Sequence, residues 1–186
     1  MVNLSPPKRV PSNATPEGDG VVVGQGPVTV DAYIDFLCPF CGQFELSAGP
    51  SLARMVTGGL ISLAYHPMNF LDGASTTQYS TRAAASSGCA SDGGKFMEYA
   101  HALFVSQPPE GGAGLSDEEL VELGVSAGLD RQSFERCVSA ETYRDWPPYV
   151  TQLATARGVQ ATPTVLVNGV PVPANPRMIE AAVAAA

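Results

Sequence analysis

The sequence predicts an α/β fold in which a sheet-bearing unit is interrupted by a long helical insertion. Three observations carry this. Val28 to Leu37 is rich in β-branched and aromatic residues and leads directly into Cys38-Pro39-Phe40-Cys41, after which apolar residues recur at helical spacing. From about Ser75 to Arg157 the apolar period stays helical. It then reverts to a strand over Thr164 to Val167, with a turn at Asn168-Gly169, a return strand and a closing helix.

Taken in order, residues 1–19 carry Pro6, Pro7, Pro11 and Pro16 without any periodicity and read as a flexible tether. Val21 to Val23 reads as a short edge strand ended by Gly24. Val28 to Leu37, with only Asp31 and Asp35 charged, reads as a strand buried on both faces. In the next helix Phe40, Phe44, Ala48, Leu52 and Met55 form one face. Pro50 lies inside that pattern and is expected to kink the helix near Leu46 to Ala48. Gly58-Gly59 end it. Leu60 to Tyr65 is a second strand, broken at His66-Pro67.

In the helical block, Asp92 is expected to cap a helix over Lys95 to Val105. Ser116 and Glu119 form a capping box for the next helix, and Asp130 precedes a short helix bearing Phe134 and Cys137. Pro147-Pro148 fit only the start of a helix, and Asn175-Pro176 cap the last one. The expected division is a unit made of 20–74 and 158–186, with 75–157 inserted.

Bulk properties exclude some functions. A net charge of -8 leaves no basic stripe to replace phosphate counterions, so nucleic acid is not an expected partner. No apolar run approaches a membrane span, and no charged-then-apolar leader opens the sequence. Four cysteines, an even number without histidines at metal spacing, favour an oxidising compartment and a leader or anchor that is not part of this sequence.

The chemistry concentrates at Cys38 and Cys41. A thiol is nucleophilic as the thiolate, and the first turn of a helix stabilises one through unpaired N–H groups and the dipole. Pro39 suits the first helical position, which puts Cys38 at the N-cap and Cys41 one turn in. Zinc needs about four ligands, and the other cysteines stand singly at 89 and 137. Haem attachment needs a histidine where Gly42 stands. The pair reads either as a merely buried pair or, as favoured, as a reversible dithiol, with Cys38 as the more exposed nucleophile and Cys41 as the resolving thiol; neither metal nor cofactor is expected.

At this point the chain resembles the DsbA-like branch of the thioredoxin superfamily, and in particular extracytoplasmic DsbA-like proteins of actinobacteria. The resemblance rests on Cys38-Pro39-Phe40-Cys41 with Gly42-Gln43-Phe44-Glu45, on Tyr65 to Phe70, on Gly158 to Thr164 with Val167-Asn168-Gly169, and on Cys89 and Cys137 in their settings. It implies a thioredoxin-like fold with an inserted α-helical domain. It also implies a cis bond at Thr162-Pro163 beside the cysteine pair, where an extended substrate could add as a strand. Glu45 matches an acid of the family and reads either as a proton-transfer group or as a solvated helix residue. Cys89 and Cys137 read as small core thiols or, as favoured here, a disulfide that staples the insertion. His66 and His101 read as packing or surface residues.

Two departures from the family stand out. The buried acid expected six residues before the first cysteine is Ala32, and Asp31 and Asp35 have the opposite strand parity, so neither is expected to reach that spot. The dipeptide is Pro39-Phe40, whose phenyl ring offers the thiolate no polar hydrogen. Tuning of Cys38 is therefore expected to come mainly from the helix N-terminus.

The resemblance implies an extracytoplasmic, monomeric thiol–disulfide oxidoreductase that introduces disulfides into unfolded, translocated proteins. A membrane quinone-linked thiol oxidase would reoxidise it. The alternatives are an isomerase or reductase of the same fold, or a redox-inactive peptide-binding or chaperone module.

Overall fold

A computed structural model describes residues 5–186. Its centre is β2 (Val28–Ile34), which feeds α1 (Pro39–Thr57) and returns through β3 (Ile61–Pro67), parallel to β2. β1 (Val21–Val23) pairs antiparallel with β3; β4 (Thr164–Val167) pairs antiparallel with β2, and β5 (Val170–Val172) with β4. The five-stranded order is β1-β3-β2-β4-β5. Val30 and Ala32, on one face of β2, are fully buried. On the other face Thr29 is exposed and Asp31 half-buried, so the strand is covered on both faces only towards its end, at Ala32 to Ile34, and not along its whole length as expected. The Asn168-Gly169 turn uses two residues of positive φ, and the Asn168 carbonyl side chain accepts the Thr29 N–H across the sheet.

Between β3 and β4 runs the insertion: a single 3-10 turn at Asp72–Ala74, then α2 (Tyr79–Asp92), α3 (Phe96–Val105), α4 (Asp117–Ser126), α5 (Arg131–Ser139) and α6 (Trp146–Ala156). α7 (Pro176–Ala184) closes the chain against α1 and the β4–β5 hairpin. One apolar core runs from the sheet into the insertion, joining Phe36, Leu63, Tyr79, Tyr99, Leu103 and Trp146. The caps work as local chemistry dictates. Ser116 and Glu119 form a reciprocal box, Asp130 accepts the Ser133 N–H, and Asn175 accepts the Met178 N–H.

Several local expectations change. Asp92 ends α2 rather than capping α3, because Gly93 and the positive-φ Gly94 intervene; its carboxylate instead accepts from Ser12 and from the Tyr143 hydroxyl. β3 extends through His66 and Pro67, which pair with Tyr33 and Ile34. Pro50 lies inside α1, as expected, without ending it.

The tether reading of 1–19 is also narrowed; the first four residues lie outside the described residues. Pro11, Gly18 and Asp19 are buried. Ala14 bridges Val21, the Trp146 indole donates to the Gly18 carbonyl, and the Asp19 carboxylate pairs with Arg157. His66, stacked on Tyr33, places Nδ1 2.8 Å from the Asp19 carbonyl and Nε2 3.0 Å from the Asp31 carboxylate. An aperiodic composition hides such a segment because its backbone is satisfied by side chains distant in sequence.

Candidate active site

The cysteine pair sits where β2 gives way to α1. Cys38 is the N-cap, with extended backbone, Pro39 occupies the first turn, and both cysteines are free thiols. Cys38 is 5% exposed and Cys41 fully buried, while Pro39 and the Phe40 ring face solvent. A hydrogen bond from the Cys41 thiol draws the Cys38 pKa down to about 5, against the effect of burial. Thr162 and the backbone N–H groups of Cys41 and Phe40 act in the same direction. Burial, and then the neighbouring Cys38, hold Cys41 well above the ordinary thiol value. At neutral pH the arrangement is therefore one thiolate and one thiol. The helix N-terminus contributes to this as expected, but the partner thiol contributes first.

Thr162 comes from the loop that enters β4. Its carbonyl oxygen lies 3.4 Å from Cys38 Sγ, and the Thr162-Pro163 peptide is cis. Glu45, one turn beyond Cys41, is buried, and its carboxyl is pushed up by that burial and held down by His101. The two side chains are 3.3 Å apart, so His101 partners Glu45 rather than merely covering the surface. Cys89 and Cys137 form a disulfide between α2 and α5, with an S–S distance of 2.07 Å. Among the described residues, no cluster of three or more His, Cys, Asp or Glu side chains could hold a metal ion.

Two residues enter the site that the sequence did not point to. Asp35 is fully buried, and its backbone N–H donates to Cys41 Sγ at 3.4 Å. Its carboxylate accepts from the Leu37 N–H, the Leu71 N–H and the Ser80 hydroxyl. Burial pushes its pKa up to about 6; those hydrogen bonds oppose the shift, and the charge on Cys38 adds to it. β2 ends at Ile34, so Asp35 begins the turn, and it is its backbone N–H rather than its carboxylate that meets Cys41. The second residue is Gln107, just past α3, whose Nε2 donates to the carbonyls of both Phe36 and Cys38 at 2.9 Å. A single glutamine after a helix carries no sequence signal.

A thiol at a helix cap, a second thiol one turn behind it and a cis-proline loop alongside define a dithiol site of thioredoxin type, and the comparisons agree. A family model described as thioredoxin matches residues 17–184. Reduced DsbA from Mycobacterium tuberculosis is 35% identical, with a TM-score of 0.73 over 82% of this chain and 84% of that one. Reduced DsbG, a disulfide bond oxidoreductase from the same organism, is 36% identical, with a TM-score of 0.74 over 85% and 81%. Oxidised BdbD from Bacillus subtilis, 21% identical with a TM-score of 0.74 over 95% and 96%, shares the fold. The serine/threonine-protein kinase PknE of Mycobacterium tuberculosis is 36% identical over 121 residues, 60% of this chain; the chain spans about a fifth of the length of such curated relatives, 21%. The chain belongs to the thioredoxin superfamily, among the DsbA-like thiol–disulfide oxidoreductases.

Proposed function

We propose that the protein is an extracytoplasmic oxidant that introduces disulfides into translocated proteins through Cys38 and Cys41. The observation that carries this reading is the Cys38 thiol drawn down to about 5 beside a Cys41 held high. A stabilised Cys38 thiolate stabilises the reduced protein, and a couple whose reduced form is stabilised is oxidising. In the forward direction a substrate thiolate attacks Cys38 Sγ of the disulfide, and the Cys41 sulfur leaves and takes up a proton. The substrate's second thiolate then attacks the substrate sulfur of the mixed disulfide, and Cys38 leaves as its thiolate. Two electrons pass from substrate to protein.

In this reading Thr162 offers backbone to an extended substrate next to the reacting sulfur, and Glu45 with His101 is a route for the Cys41 proton. Residues 20–74 and 158–186 form the redox unit, and 75–157 the lid over it. A membrane quinone-linked thiol oxidase restores the disulfide. No helix among the described residues is long and apolar enough to cross a membrane. The deciding experiment equilibrates the Cys38–Cys41 pair with glutathione. A potential near about -120 mV supports an oxidant, whereas one near about -270 mV, that of thioredoxin, would replace it with a reductase.

A further inference from the structure

We infer that Gln107 is a positioning residue through which the helical insertion sets the stability of the Cys38 thiolate, an inference that rests on the redox reading above. Gln107 follows α3 and is brought to the active-site loop by the packing of Phe104 on Phe36, ring centroids 5.0 Å apart. Its Nε2 carries two hydrogens and meets two carbonyls, those of Phe36 and Cys38, each at 2.9 Å. The Cys38 carbonyl also accepts the N–H groups of Cys41 and Gly42, at 3.0 and 3.2 Å. The Cys41 N–H additionally contributes to holding the Cys38 thiol low. A third donor on that carbonyl anchors the first turn of α1 from outside the helix and keeps the Cys41 N–H in place beside the sulfur.

The fit extends to Gly42. A Cβ built there would lie 2.7 Å from Gln107 Oε1, although Gly42 is an ordinary helical residue whose backbone tolerates a side chain. The glycine is thus explained by the glutamine that presses on it.

This gives two independent ways to loosen the clamp. Gln107→Ala removes the donor. Gly42→Ala pushes the amide aside while adding a better helix former, so the second variant separates positioning from general loss of stability. The readouts are the pH titration of the Cys38 thiolate by its ultraviolet absorbance, the reduced-to-oxidised ratio at a fixed glutathione poise, and denaturant stability. Each variant is expected to raise the titration midpoint and lower the reduced-to-oxidised ratio, by roughly three- to tenfold for Gln107→Ala, the net worth of one hydrogen bond. Gly42→Ala is expected to do so without losing stability. The double variant should match Gln107→Ala alone, because nothing is left to displace.

Unmoved titrations in both single variants, or effects that simply add in the double one, would overturn the clamp. If Gln107→Ala does not fold, Gly42→Ala alone decides: an unmoved midpoint overturns the inference, a raised one supports it. A wild-type Cys38 that titrates as an ordinary thiol would instead remove the redox reading, and this inference with it.

Discussion

Asp35 is a fully buried carboxylate, tied by three donors and within reach of the charge that Cys38 carries when reduced. A carboxyl displaced from 3.8 to about 6 corresponds to on the order of 3 kcal/mol. The sign follows from proton binding. Between about pH 4 and 6 the folded protein holds this proton more tightly than the unfolded chain, so stability falls as pH rises through that window. Above it the charged form is present at its full cost. Asp35→Asn is expected to flatten the pH dependence of denaturant stability over that window and to lower the Cys38 titration midpoint, since a like charge has gone. An unchanged slope in paired unfolding curves at pH 4, 5, 6 and 7 would rule out this role. Phe40, 67% exposed, permits a cleaner change. Phe40→His puts a polar hydrogen near the thiolate and should lower the same midpoint and raise the glutathione potential, with stability altered by less than about 0.5 kcal/mol.

At the scale of elements, α1 supplies the N–H groups, β4 brings Thr162, and the Cys89–Cys137 disulfide joins α2 to α5 across 48 residues. Replacing both of these cysteines by alanine should cost roughly 4 kcal/mol by the loop-entropy argument. The Cys38 titration should stay in place, because the staple lies in the insertion and not at the dithiol. Chemical denaturation and thiolate absorbance of the same variant test the two halves separately. These elements were largely legible in the sequence, because they are announced by neighbours: Ser116 with Glu119, Asn168 with Gly169, Asn175 with Pro176. Asp92, Asp35 and Gln107 were not. Each has partners 20 or more residues away, and only the folded chain decides whether such a polar residue is solvated or buried.

For the whole molecule, the segment between Lys8 and Gly20 acts as a strap over two layers. Lys8 and Ser12 donate to Asp145 and Asp92 of the insertion, and Asn13 and Asp19 meet Val22 and His66 at the sheet. A chain that starts at Gly20 leaves the His66 imidazole without its carbonyl partner and Arg157 without its carboxylate. It is expected to unfold at distinctly lower denaturant while keeping a low Cys38 titration midpoint. Equal midpoints of unfolding for the full and shortened chains would show that the strap contributes nothing.

The sheet order has a consequence in time. β2 lies between β3 and β4, yet its β4 neighbour is encoded far downstream, with Thr29 meeting Asn168 across 139 residues. A chain emerging N-terminus first carries all four cysteines, the last of them Cys137, before β4 exists to complete the platform around Cys38. During that interval one edge of β2 is bare and every thiol is a candidate for the wrong cross-link, the hazard of late, non-local strand pairing. The final two dozen residues are what end it. A thiol–disulfide oxidoreductase thus passes through a stage in which its own pairing depends on being finished.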